Sequence, residues 1–246
     1  MPPPRQPEWL VFPFYHWVLD DERTAFEKQL RGFRRYGEFI GLDSAVELLH
    51  GGGQLGGRYF CVTFDDGFDN CYRNAAPVLA DLGVPAAFFI STLYVDLRAD
   101  SDWETLAPFF RRSWTRYRRR FDFLDWDQCR QMARAGFTFG SHTHSHMHLV
   151  DHPADEVAGE MALSKQIIEA ELDTRCRHIA CPWGRPGKDY DPAMHQALAA
   201  QAGYESFLTV EEGPNLPGSD PMGIRRNAVT PSFTGALLRY HLWLGR

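Results

Sequence analysis

Apolar positions along this chain follow two rhythms. Short, nearly unbroken apolar runs lie near Trp9–Tyr15, Tyr59–Phe64, Ala86–Ser91, Phe137–Ser141, His178–Cys181, Ser206–Val210 and Gly223–Ala228. Runs of this length without strict alternation suit strands buried on both faces. Between them the apolar residues recur at helical spacing: Glu22–Tyr36 brings Phe26, Leu30 and Phe33 onto one face, and Pro153–Leu172 does the same with Val157, Met161, Ile168 and Leu172. Asp151 and Pro153 together form a helix-start signal. Trp126–Arg134 and Pro192–Ala202 read as further helices, each closed by a glycine, Gly136 and Gly203, where a left-handed residue is needed. Seven strands alternating with helices predict βα units around a largely parallel sheet, an α/β fold whose length lies within the range of a single barrel. The stretch from Thr92 to Asp125 breaks the rhythm and is expected to be an inserted excursion. No Ser- or Gly-rich linker divides the 246 residues, so residues 1–246 are expected to form a single domain with a loose N-terminus over residues 1–8.

The polar residues that break these runs carry the chemistry, and they fall at one end of the βα units. His16 follows the first strand, Asp65 and Asp66 the second, His142 the fourth, Pro182 and Trp183 the fifth, and Arg226 lies within the last. In parallel α/β folds the C-terminal strand edge is where ligands bind. Asp65 and Asp66 precede Gly67, a combination that by itself often marks a simple turn. What raises its meaning is the run Gly140-Ser-His-Thr-His-Ser-His-Met-His-Leu149, with His142, His144, His146 and His148 at every second position. The spacing allows His142 with His146, or His144 with His148, to reach one ion from a single helical turn. Spacing does not choose between the pairs.

Composition narrows the picture. With 44% apolar residues the chain can bury a substantial core, and a net charge of −6 argues against a nucleic-acid partner. Arginine is nevertheless concentrated at Arg111, Arg112, Arg116, Arg118, Arg119 and Arg120, a solvated helical face or a patch for an anionic sugar, a diphosphate or a lipid headgroup. The five cysteines (Cys61, Cys71, Cys129, Cys176, Cys181) include no Cys-x-x-Cys pair, which suits a reducing compartment. Met1–Glu8 has no secretory pattern and no run is long and apolar enough to span a bilayer, so a cytoplasmic location without a transmembrane segment is expected.

The ordered motifs carry a resemblance. Thr63-Phe-Asp-Asp-Gly67 and Gly140-Ser-His-Thr-x-x-His-x-x-Leu149 resemble the first two signatures of the NodB-homology polysaccharide deacetylases, a carbohydrate esterase family with a distorted (β/α) barrel and a divalent-metal site. Ala180-Cys-Pro-Trp-Gly-Arg-Pro-Gly187 resembles its third motif. Phe14-Tyr-His-Trp17, Ala76-Pro-Val-Leu-Ala80, Gly83-Val-Pro-Ala-Ala-Phe-Phe89 and Phe123-Leu-Asp-Trp126 are similar to members acting on bacterial exopolysaccharide or related glycans. The likeness spans roughly residues 9 to 230. It implies a metal triad of Asp66, His142 and His146, with Asp65 as catalytic base and the backbone N–H of Trp183 at the oxyanion. The implied cofactor is one divalent ion, zinc foremost, with cobalt, nickel or manganese also accepted by such ligands.

Two positions depart from the family pattern. The arginine that often steadies the base is absent where Ala180-Cys181 stands, and Arg226 on the last strand is expected to take its place. A C-terminal Leu-x-x-His histidine often serves as general acid. Leu238-Arg-Tyr-His241 matches it only superficially, because Pro231–Trp243 reads as an amphipathic helix, so His16 at the functional edge is the better candidate. The implied activity is metal-dependent removal of an N-acetyl group from an amino sugar of a glycan or a nucleotide- or lipid-linked precursor. Deformylation, O-deacetylation or cyclic-amide hydrolysis would use the same chemistry. A silent glycan-binding domain, stacking Trp103, Phe109, Phe110, Trp114 and Tyr117 on sugars, and a metal-sensing protein are the readings outside enzymology.

Overall fold

Pro13 has no N–H to give to a sheet ladder, and the apolar run from Trp9 to Tyr15 parts beside it into β1 (Trp9–Val11) and β2 (Pro13–Tyr15). The structure is a computed structural model describing residues 8–52, 54–107, 109–110 and 120–242. Onward from β2 come α1 (Arg23–Phe33), β3 (Glu38–Phe39), α2 (Leu42–His50), β4 (Arg58–Phe60) and β5 (Val62–Phe64). A π-helical turn, Cys71–Ala75, leads into α3 (Ala76–Leu82), then β6 (Ala86–Ile90), α4 (Trp126–Arg134) and β7 (Thr138–Ser141). The chain finishes with α5 (Ala154–Leu172), β8 (His178–Ala180), α6 (Pro192–Gln201), β9 (Ser206–Leu208), β10 (Asn227–Ala228) and α7 (Gly235–His241).

The seven-stranded parallel sheet expected from the sequence is present, in the order β10-β2-β5-β6-β7-β8-β9, and a second parallel sheet, β1-β4-β3, continues its lower end. Local signals explain the helix ends. Asp125 caps α4 in a reciprocal box with Gln128, and Asp191 caps α6. Gly136 and Gly203 take the left-handed conformation at φ 92° and 81°. The run Gly223–Ala228 corrects the sequence expectation: only Asn227–Ala228 is strand, because Asp220 caps a 3₁₀ turn over Pro221–Gly223. The expected C-terminal helix is α7 alone within the described residues, and Trp243 lies outside them.

That short last strand closes the barrel. Ile224 exchanges hydrogen bonds with Phe207 and Thr209 beside β9, and Arg226 N–H donates to Glu211. One and three residues later, Asn227 and Val229 donate to Phe12 and Phe14 on the opposite side of the sheet. One segment thus stitches both edges of the sheet, producing the distorted (β/α) barrel.

Side chains alternate along each strand, so the inward rows can be read from bottom to top. Leu10, Phe12, Cys61, Ala87, Phe89, Ala180, Leu208 and Ile224 fill the barrel interior, and Leu42, Ala45, Val46 and Leu49 of α2 close its lower end. Continuing upward by twos, Cys61 leads to Thr63 and Asp65, Ile224 to Arg226, and Gly140 to His142. The polar site is therefore the top layer of the packed core. Gly140 is needed for that layering, since a Cβ there would lie 2.5 Å from the Phe89 ring and 2.9 Å from the His178 carbonyl. At the bottom, His178 bridges Ser206 Oγ (2.9 Å) and Asp43 Oδ1 (3.2 Å), and Arg177 joins Asp43 at 2.6 Å. All five cysteines are free and buried, as small apolar residues are.

The excursion after β6 forms its own cluster. Phe109, Phe110, Phe121 and Phe123 pack on Phe68 and Tyr94, with Trp103 against them. Arg120 stacks on the Trp103 ring at 3.8 Å. The remaining arginines proposed as an anionic contact (Arg111, Arg112, Arg116, Arg118 and Arg119) lie outside the described residues, as do Trp114 and Tyr117. Among the described residues no helix is long and apolar enough to cross a membrane.

Candidate metal centre and active site

Three turns at the top of the barrel bring the candidate site residues together, and each is held in a conformation that non-glycine residues rarely adopt. Among the described residues, six non-glycine positions have positive φ, and four of them are Asp66 (72°), Thr143 (60°), His146 (56°) and Trp183 (64°). Such backbone persists only where surrounding bonds over-determine it, and it concentrates at functional sites. Asp66 runs directly into Gly67 (φ 83°), where a Cβ would sit 2.9 Å from Ile90. The sharp turn points both neighbouring carboxylates into the barrel mouth.

The histidine run is not a helical turn, as its spacing had suggested, but a loop. Three of its backbone N–H groups go to side chains, Thr143 to Ser141 Oγ, Ser145 to Glu160 and Met147 to Thr143 Oγ1, while His142 N–H donates to the Ile90 carbonyl and the His144 carbonyl accepts from Leu93. The loop separates the four histidines. His142 and His146 turn inward to Asp66, with Nε2 to Oδ1 distances of 3.4 and 3.3 Å. His144 turns to Thr92 (2.8 Å), and His148 to Asp189 and Asp151 (3.0 Å each).

Asp66, His142 and His146 form a group whose ligand atoms lie within 4.8 Å of one another. Ligands about 2.0–2.2 Å from a tetrahedral ion stand about 3.3–3.6 Å apart, which the Asp66–histidine distances match. His142 Nδ1 lies 2.7 Å from the Ala180 carbonyl; since a carbonyl only accepts, that nitrogen carries the proton and Nε2 presents its lone pair. This is how a backbone carbonyl sets the tautomer of a metal-binding histidine. Burial lowers the proton affinity of His146, against the pull of Asp66, leaving it a neutral ligand. Burial alone would raise the Asp66 carboxyl, but the His142 and His146 imidazoles and charge from His16 hold it well below the usual range. A carboxylate and two imidazole nitrogens at this spacing fit a zinc-type divalent ion.

Beside the triad, Asp65 is pinned by Arg226. Nη1 and Nη2 donate to the two carboxylate oxygens at 2.7 and 2.8 Å, and Nε donates to the Thr209 carbonyl at 2.8 Å. Arg226 is fully buried and lies over the Phe14 ring, 4.5 Å from its centroid. Burial pushes the Asp65 carboxyl up, yet Arg226, with His142 and His16, brings it below the usual carboxylate range. Removing one partner of such a buried pair strands the other, at about 3–5 kcal/mol. Arg226→Gln is therefore expected to lower Tm by on the order of 10 °C, to be checked by thermal denaturation. A Tm shift under about 2 °C would show that the pair is solvated in solution.

His16 is half-buried at the end of β2, edge-on to Phe14 at 5.4 Å, and close enough for its charge to act on both aspartates. The π-helical turn holds its segment, an element common at functional sites. Asn70 accepts from Val18 N–H (3.2 Å), Asn74 donates to the Val18 carbonyl (2.9 Å), and the Cys71 thiol donates to the His16 carbonyl (3.5 Å). Sequence reasoning missed Asn70 and Asn74; two amides four apart after an Asp-Asp-Gly turn were the available signal. Trp183 sets its ring edge-on to His146 at 5.2 Å. Gly184 after it (φ 70°) lies close under the Cys181 carbonyl and Val210 N, each 3.0 Å from an added Cβ.

The fold and this set of turns define a deacetylase-type barrel, and the chain belongs to the polysaccharide deacetylase family, whose profile matches residues 52–207. It is 25% identical over 175 residues to YxkH of Bacillus subtilis (strain 168), which carries a provisional polysaccharide deacetylase name. That match covers 71% of this chain, which spans about half (53%) of the relative's length. Among solved structures, IcaB of Ammonifex degensii superposes with a TM-score of 0.73 at 25% identity, covering 92% of this chain and 95% of that one. The Streptococcus pyogenes deacetylase PplD in complex with acetate gives 0.71 at 20% identity over 96% and 97% of the two chains. The BpsB deacetylase domain of Bordetella bronchiseptica gives 0.70 at 22% over 93% and 98%. These last two likenesses bear on the fold.

Proposed function

We propose that this chain is a metal-dependent carbohydrate deacetylase that removes an N-acetyl group from an amino sugar of a glycan or glycan precursor. The observation that carries the reading is the pairing of a metal-spaced triad, Asp66, His142 and His146, with a carboxylate at Asp65 held in place by Arg226. Family membership supports the same chemistry. A bound divalent ion supplies Lewis acidity toward the acyl carbonyl and brings the pKa of a water down to about 7.

The chain's own residues do the rest. Asp65 accepts the proton of the attacking water through oxygen lone pairs that Arg226 does not use. Arg226 keeps that carboxylate ionised and fixes its plane. The Trp183 backbone N–H donates to the acyl oxygen as it gains negative charge, a contribution typically worth about 2.7–4 kcal/mol. His16 hands a proton to the leaving nitrogen, without which an amine departs poorly.

The reading is tested by metal analysis of the purified protein together with acetate release from N-acetylated saccharides, sugar nucleotides and their O-acetylated counterparts. One divalent ion per chain and acetate from an N-acetylated member are expected. Turnover of O-acetyl esters alone, surviving His16→Ala, would move the assignment to O-deacetylation, because an ester needs little help from a general acid. Glycan binding that persists after metal stripping, with no acetate from any compound, would replace the enzyme by a binding domain.

A further inference from the structure

Asp189 is absent from the chemistry described so far, yet its carboxylate, with no exposed surface, is among the most heavily bonded in the protein. Oδ2 accepts from the Arg185 backbone N–H at 2.9 Å and from Arg185 Nε at 2.6 Å. Oδ1 accepts from Arg185 Nη2 at 2.8 Å and from His148 Nε2 at 3.0 Å. Its own carbonyl takes the Val150 N–H at 3.3 Å, and its N–H returns to the Arg185 carbonyl at 2.9 Å. These bonds join two loops. Arg185 is two residues beyond Trp183, and His148 is two residues beyond His146.

The joint also fixes a wall of the site. Trp183 stands edge-on to both His146 and His148, with ring centroids 5.2 and 6.4 Å away. A cavity of about 170 Å³ opens there, lined by Tyr94, Phe109, His146, Met147, His148 and Trp183. Trp183 itself sits in a left-handed conformation (φ 64°) that an unbraced loop would relax. Burial pushes the Asp189 carboxyl up, but Arg185 and His148 hold it below the ordinary range, so the brace stays charged.

We propose that Asp189 is a positioning residue that cross-braces the Trp183 turn to the histidine loop, so that the Trp183 backbone N–H faces the acyl oxygen held at the Asp66–His142–His146 face. The role rests on the deacetylase reading. Misplacing a donor by an ångström can cost about 10²-fold in rate without touching the reacting groups. A strut of merely structural value would lower stability and leave turnover per folded molecule alone.

The test compares kcat and KM of Asp189→Asn with those of Asp43→Asn, which removes a comparable charge at the opposite end of the barrel. An N-acetylglucosamine oligosaccharide serves as the probe, and rates are normalised to folded, metal-containing protein. Asparagine keeps the volume but cannot accept both arms of Arg185 and the His148 N–H. The expected result is a fall in kcat of about 10–100-fold for Asp189→Asn with KM little changed, and a lowered Tm with unchanged kcat for Asp43→Asn. Unchanged kcat in Asp189→Asn overturns the proposal. Should that variant not fold, His148→Gln and Arg185→Gln decide, the latter at a half-exposed side chain: lowered kcat in both supports the brace, and unchanged kcat in either overturns it. Asp65→Asn separates the levels. An Asp65→Asn variant that stays active removes Asp65 as the base, no acetate release from the unsubstituted protein defeats the enzymatic reading, and an inactive Asp65→Asn beside a fully active Asp189→Asn defeats only the brace.

Discussion

Replacing Asp65 by asparagine is expected to lower kcat by about 10²–10⁴-fold while the protein retains one divalent ion per chain. The substitution is nearly isosteric, and the new amide oxygen can still accept one of the two Arg226 hydrogen bonds. What disappears is the negative charge, and with it the capacity to take a proton from water. The metal ligands are untouched, since Asp66 faces His142 and His146 on its own. Arg226 is left as a buried cation without its partner, so Tm also falls, by the same reasoning as for the reciprocal change. Rates therefore have to be measured well below the transition and per folded molecule. A loss smaller than tenfold, with metal retained, would mean that another group accepts the proton.

How much of this arrangement was legible in the sequence depends on whether a residue acts within its own segment or across the barrel. The strands were legible because each is a short apolar run between turn signals. Their interruptions at Phe12 and Cys61 were not, because both lie within continuous apolar stretches. The two-residue β3 has no period to detect. α2 had one, with Leu42, Ala45, Val46 and Leu49 at helical spacing, and its glycine-flanked brevity hid it. Asp65 and Asp66 announced themselves by adjacency. The choice of His142 and His146 over His144 and His148 came from resemblance, and the loop makes the reason visible: left-handed residues at Thr143 and His146 rotate alternate histidines to opposite partners.

The least legible contacts are those between segments far apart in the chain. Arg226 could be placed at the functional edge by strand order, but its bidentate bond to Asp65 depends on the Ile224–Val229 segment stitching both sheet edges. Asp189 gave no sign at all. Its partners come from a loop 41 residues earlier and from a turn within its own loop, and no local pattern encodes that meeting.

Stripping the metal is expected to abolish turnover and to destabilise the folded protein, and the second effect is the more diagnostic. An ion that binds only the native state stabilises it by about 4 kcal/mol when present at a thousand times its dissociation constant. For a chain of this size that corresponds to a Tm fall of roughly 8–16 °C on chelation. The triad makes the coupling direct: Asp66, His142 and His146 are all buried and aimed at one point, and they come from two strand ends that converge only in the folded barrel. Because burial already weakens proton binding at His146, protons compete poorly with a metal there. Adding zinc back should restore Tm and activity together. Asp66→Asn should start from the low Tm and respond little to zinc, which separates the triad from adventitious surface histidines such as His152, paired with Glu156 on the exterior. A verified metal-free protein with unaltered Tm and unaltered acetate release would remove the metal from the chemistry and leave the triad a buried hydrogen-bonded cluster.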